Sequence, residues 1–188
     1  MERFLRGSYK IEHQKRGVTV LCGELQKEYD LVPFKIVMDE YKEYYTFWYT
    51  DDIDGFLLDR DGKLKSFPTK KEAIAFAKEE KLMFRPCAVE FFIAPSIYRK
   101  KNLRKIDCVR YLDCWNIFSD AAHSINCEFL GDHREGVIQR IYEKLFYGCN
   151  LLVKEDEEHY IPKWSKKERR WIAKVMKDGI KILLKGLK

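Results

Sequence analysis

No apolar run in this chain comes near the roughly 18 residues needed to cross a bilayer. Phe91-Phe92-Ile93-Ala94 is one of the longest, and it is far too short. Met1 to Lys10 holds no continuous apolar stretch, so no secretory leader is expected and the expected location is cytoplasmic. No Cys-x-x-Cys occurs among the six cysteines at positions 22, 87, 108, 114, 127 and 149. Reduced, mostly buried thiols are therefore expected in place of a disulfide framework. A glycine-rich phosphate loop is missing, which weighs against a nucleotide-driven enzyme. A Gly-x-Ser-x-Gly elbow, internal repeats and low-complexity tracts are missing too.

What remains is 188 residues, 46% apolar, 35% charged and 14% aromatic. Those proportions build a sizeable core and exclude a disordered chain, a collagen-like fibre and a disulfide-dense miniprotein. One domain over 1–188 is expected. The net charge of +6 is unevenly placed. Lys163 to Lys188 holds ten Lys/Arg against two acids, Glu168 and Asp178, and so carries +8, while the remainder carries −2. The basic character belongs to one terminal segment, and a general polyanion-binding surface is not implied.

The first half, about 8–98, reads as sheet. Val18 to Leu21, Phe34 to Met38 and Tyr44 to Thr50 are β-branched or aromatic runs. Phe56 to Leu58 and Leu64 to Phe67 flank Asp59-Arg60-Asp61-Gly62-Lys63, a hairpin signal that predicts an antiparallel meander with the Tyr44 strand. Thr69 with Glu72 caps a helix to about Lys81 that crosses the meander. Ala88 to Ile93 reads as a further strand between two prolines. Arg99 to Lys105 has five cations in seven residues and marks the expected boundary with a helical half, about 108–186. Three helices are expected there. The first spans about Tyr111 to Ile125, with Cys114, Ile117, Phe118, Ala121 and Ile125 on one face. The second starts at Asp132, capped through Glu135, and stops at Gly148. The third is capped by Ser165 and Glu168 and runs to about Leu184. The fold class is α+β, an antiparallel β-meander with one crossing helix followed by a three-helix half.

Alternation puts Tyr45, Phe47 and Tyr49 on one sheet face and Tyr44, Thr46, Trp48 and Thr50 on the other. If the helical half leaves the second face open, its aromatics and the adjacent Asp51, Asp52 and Asp54 form an interface patch with an acidic rim. Asn116, Ser119, Asp120 and His123 follow i, i+3, i+4, i+7 on one helix. A Ser, an Asp and a His invite a nucleophile–base reading, but side chains one turn apart run parallel, so a contact face fits better. Cys114, His123, Cys127 and His133 have eight, three and five residues between them and straddle opposite helix faces, so no metal is expected. On the terminal helix, Ile172, Val175, Met176, Gly179, Ile182 and Leu183 face one way and Lys166, Arg170, Lys174, Lys177, Lys181 and Lys185 the other. Few bulky rings flank those cations, so nucleic acid ranks below a protein partner.

Asp54-Gly55-Phe56-Leu57-Leu58-Asp59-Arg60-Asp61-Gly62-Lys63-Leu64, with Phe67 and the Thr69 helix, resembles bacterial immunity proteins of contact-dependent-inhibition and other polymorphic toxin systems. Asp113-Cys114-Trp115-Asn116-Ile117-Phe118-Ser119-Asp120 shares the likeness, which covers about half of the chain. The resemblance implies an inhibitor that binds a cognate toxin domain, often a nuclease, and occludes its active site without cofactor or chemistry of its own. Its expected contacts are Trp48, Tyr49, Asp51, Asp52 and Asp54, then Asn116, Asp120 and His123. Two other readings stay open: a small enzyme with a Cys/His site in an interhelical cleft, and a regulatory nucleic-acid binder using the lysine stripe.

Overall fold

A computed structural model describes residues 31–39, 42–50, 53–85, 88–93, 96–133, 135–151, 153–154 and 157–187. The expected strand Val18–Leu21 and the acids Asp51 and Asp52 lie outside the described residues. Four strands, β1 (Leu31–Asp39), β2 (Lys42–Tyr49), β3 (Gly55–Phe56) and β4 (Val89–Phe92), form one sheet in the order β3-β2-β1-β4. Helices α1 (Lys70–Glu79), α2 (Cys108–Ser124), α3 (Gly136–Gly148) and α4 (Lys166–Gly186) complete an α+β fold.

The sheet is mixed. β1, β2 and β3 pair antiparallel, but β4 runs parallel to β1, Phe34 opposite Val89 and Val37 opposite Phe92. The intervening α1 makes this possible, because a parallel partner needs a long crossover connection where an antiparallel one needs only a turn. Leu64–Phe67 makes only single bridges, Leu58 to Leu64 and Tyr45 to Phe67, instead of a full strand. The Asp-Gly turn forms as expected, with Gly62 in the left-handed region (φ 71) and Asp59 Oδ1 accepting from the amides of Asp61 and Lys63.

Alternation along β2 divides the core in two. Phe47 and Tyr49 pack with Leu31, Leu57 and the α1 residues Ala73 and Ala77. On the opposite face, Phe34, Ile36 and Met38 of β1 and Phe56 of β3 join the buried stripes of α2, α3 and α4, with Tyr44 and Trp48 packed against them. The sheet is therefore covered on both sides, by α1 and by the three-helix half. That larger core crosses the basic connector: Leu103 is buried in it, and the Tyr111 hydroxyl donates to the Ile97 carbonyl over 2.7 Å.

The start of α3 differs from the sequence expectation, whereas its end at Gly148 agrees with it. α3 starts at Gly136, because residues 130–132 form a separate 3-10 turn and the Asp132 carboxylate is engaged elsewhere, by Ser119 and His123. Its last residue is Gly148, and the left-handed position falls on Asn150 (φ 52). Gly148 serves close approach: a Cβ there would stand 2.5 Å from Cys108 Sγ and 2.6 Å from the Pro162 ring. α4 begins with the expected capping box, Ser165 with Glu168.

Candidate functional site

The structure brings four of the expected contact residues to one place, where the C-terminal half of α2 meets β2 and the approach to β3. Trp48 Nε1 donates to Asp120 Oδ2 over 3.0 Å. Burial pushes the Asp120 carboxyl up to about 7; the indole donation and His123 oppose that rise, while the charges of Asp54 and Asp132 add to it. One turn along, His123 Nε2 lies 3.3 Å from Asp132 Oδ2, and the Ser119 hydroxyl donates to Asp132 Oδ1 over 2.6 Å. Ser124 joins the layers, its hydroxyl donating to the Asp120 carbonyl and accepting from the Phe56 amide.

Tyr49 does not belong to this group. It is 4% exposed in the α1-side core, so the expected Trp48–Tyr49 surface patch is not formed: alternation sends the two rings to opposite faces, and both faces are covered. Trp48 is half-buried and directed inward. Asn116 stands apart along α2, accepting from the Tyr142 hydroxyl of α3 over 3.1 Å. Asp132 was missed in the sequence, where it reads as a helix cap. No local spacing reveals its link to Ser119, which depends on how the 130–132 turn folds back on α2.

This arrangement does not make a serine nucleophile. The order is serine, carboxylate, imidazole, whereas activation needs the imidazole between the other two, to take the hydroxyl proton. Nor are the buried thiols activated. Burial pushes Cys108 up, and pushes Cys114 and Cys149 each up to about 12. Among the described residues, no three of His, Cys, Asp and Glu are placed to hold a metal ion.

A second constellation, at the opposite end of α2, was not visible in the sequence. Gly148 seats the end of α3 against Cys108 and Pro162, and Asn150 clamps Tyr160 by accepting from its amide (2.7 Å) and donating to its carbonyl (3.1 Å). Five large apolar side chains within one residue of this junction remain in solvent: Val109, Tyr147 (61% exposed), Leu151, Tyr160 and Ile161 (80%). Among the described residues, the other exposed large apolar side chains, Ile53, Met83 and Phe92, belong to the sheet half. Among the described helices none is long and apolar enough to cross a membrane.

Comparison of the chain with protein-family models, with curated proteins and with solved structures returns no match.

Proposed function

We propose that this protein is a cytoplasmic inhibitor of the immunity type, which binds a cognate toxin domain and covers its active site. The observation that carries the reading is the exposure of Val109, Tyr147, Leu151, Tyr160 and Ile161, each next in sequence to or part of the junction where Gly148 meets Cys108 and Pro162 and Asn150 holds Tyr160. Tyrosine is enriched among binding hot spots, and exposed apolar side chains grouped together mark an interaction surface. The junction is held in shape by the Asn150–Tyr160 clamp, so little ordering entropy is lost on docking. Exposed acids and bases lie close by in sequence: Asp107, Glu157 and Glu158 with Arg110 and Lys154. Such a rim sets orientation and encounter rate more than affinity.

This surface replaces the expected Trp48–Tyr49 patch as the principal contact. Asp54 and His123, which border the Asp120 cluster, are a secondary contact in the proposal. The absence of an activated thiol among Cys108, Cys114 and Cys149 supports binding over thiol chemistry.

The test is calorimetric titration against the toxin domain that the proposal expects beside this gene. A stable 1:1 complex is expected. Tyr147→Ala with Tyr160→Ala should weaken it by about thirtyfold or more, the loss of roughly 2 kcal/mol typical of one hot spot. An unchanged affinity, with an unchanged thermal midpoint, would reject this surface.

A further inference from the structure

The basic face of α4 is the other large feature of the surface, and inhibition of a protein partner does not account for it. Its apolar stripe is spent: Ile172, Val175, Met176, Gly179, Ile182 and Leu183 are all buried. Lys166, Lys167, Arg170, Lys174, Lys177, Lys181 and Lys185 are all exposed on the opposite side. At about 1.5 Å per residue the row is roughly 28 Å long.

Both acids of the helix are turned out of this row and engaged. Glu168 lies 2.6 Å from Lys144 of α3 and closes the capping box with Ser165. Asp178 Oδ2 accepts from the Leu130 amide over 3.0 Å. A face that serves only solubility interleaves both signs, and this one carries a single sign. The connector lengthens it. The Arg169 guanidinium donates to the carbonyls of Leu103 and Arg104, which fixes the connector against α4. Arg99, Lys100, Lys101, Arg104 and Lys105 are exposed beside it. Residues separated by more than sixty positions thus form one cationic surface, which the charge count along the sequence does not show.

We propose that this surface binds duplex DNA through its phosphate backbone, independent of base sequence. A rigid, straight row of cations suits an evenly charged cylinder, and the major groove of B-DNA, about 12 Å wide, accepts a helix of about 10–12 Å diameter. A bilayer is a poor match, because the helix keeps no apolar stripe to insert. Single strands want rings between the cations, whereas Trp171 is half-buried at the margin with the Lys174 ammonium 4.4 Å from its ring centre. The narrow major groove of duplex RNA does not admit a helix.

Fluorescence anisotropy of the full chain with a labelled random-sequence DNA duplex of about 25 base pairs, a length that exceeds the row of cations, tests this. Raising salt from about 50 to about 200 mM should cost a hundredfold or more in affinity. Lys174→Gln, Lys177→Gln and Lys181→Gln together should lower the salt slope by about three and weaken binding at least tenfold. Lys100→Gln with Lys101→Gln should weaken it separately. All five positions are exposed, so circular dichroism melts should not change. No binding at low salt, binding indifferent to both variants, or tighter binding to single strands, duplex RNA or anionic vesicles would overturn the proposal. Because Tyr147 and Tyr160 belong neither to α4 nor to the connector, their substitution should leave DNA binding intact, so this proposal and the inhibitor reading fail independently.

Discussion

The indole of Trp48 and the carboxylate of Asp120 meet over 3.0 Å across 72 positions of sequence, and their hydrogen bond ties β2 to α2. Burial of that carboxyl fixes the sign of a pH effect, which the bond itself opposes. Asp120 titrates at about 7 in the folded protein against an ordinary 3.8. The folded state therefore holds a proton that the unfolded chain releases between those values. This group's contribution to stability is greatest below about pH 4 and declines as pH rises to about 7. Asp120→Asn keeps an oxygen to accept from Trp48 and removes the titration. At pH 8 the variant should be more stable than the parent by on the order of 2–4 kcal/mol in urea unfolding, with little difference at pH 4. An equal pH slope in both proteins would contradict this.

Glu168 acts with the opposite sign. Burial opposes its ionisation, but the hydrogen bonds from Lys144 and Ser165 outweigh that and hold its carboxyl down, at about 2. Its stabilisation is complete above the ordinary carboxylate range and is lost as pH falls from about 5 towards 2. Lys144→Met should flatten the acid limb of the stability curve while changing the alkaline limb little, as read from thermal midpoints between pH 2 and 8.

Thr46 is fully buried, and its hydroxyl has no hydrogen-bond partner. An unmade buried hydrogen bond costs about 1–3 kcal/mol. Thr46→Val keeps the shape and removes the orphan hydroxyl, so the melting midpoint should rise. A fall would show that the hydroxyl is satisfied in solution.

Where α2 crosses α4, the Phe118 ring lies on Gly179, and a Cβ at that glycine would overlap the ring. Gly179→Ala gains helix propensity of about 1 kcal/mol, yet it should destabilise overall by about 1–3 kcal/mol, because overpacking in a filled core dominates. Adding Phe118→Leu should recover part of the loss. Two additive destabilisations would refute the contact.

Among the described cysteines, Cys127 is half-exposed with the Lys185 ammonium 3.0 Å from its sulfur, whereas Cys108 and Cys114 are buried. Iodoacetamide should label Cys127 before Cys108 or Cys114, because only the latter two are sealed in the core; equal rates would contradict the packing.

The elements whose side chains answer to local rules were legible in the sequence. Thr69 and Ser165 cap their helices as their spacing to Glu72 and Glu168 predicts, and Gly62 turns the hairpin. The alternation along β2 assigns its residues to two faces correctly, but it cannot say whether a face is covered, and both are. The start of α3 was misplaced because Asp132 is a good cap by type, and a tertiary contact with Ser119 and His123 engages it first. The parallel pairing of β4 and the seating of Gly148 against Cys108 and Pro162 depend on which elements meet in space. Periodicity does not encode that.

Amide hydrogen exchange on the complex with the toxin domain that the proposed function requires is the decisive measurement. The account predicts added protection over 107–110, 147–151 and 157–161, the segments that carry Val109, Tyr147, Leu151, Tyr160 and Ile161. Protection confined to the outer face of α4, or to the Asp54–Asp120–His123 region, would contradict it.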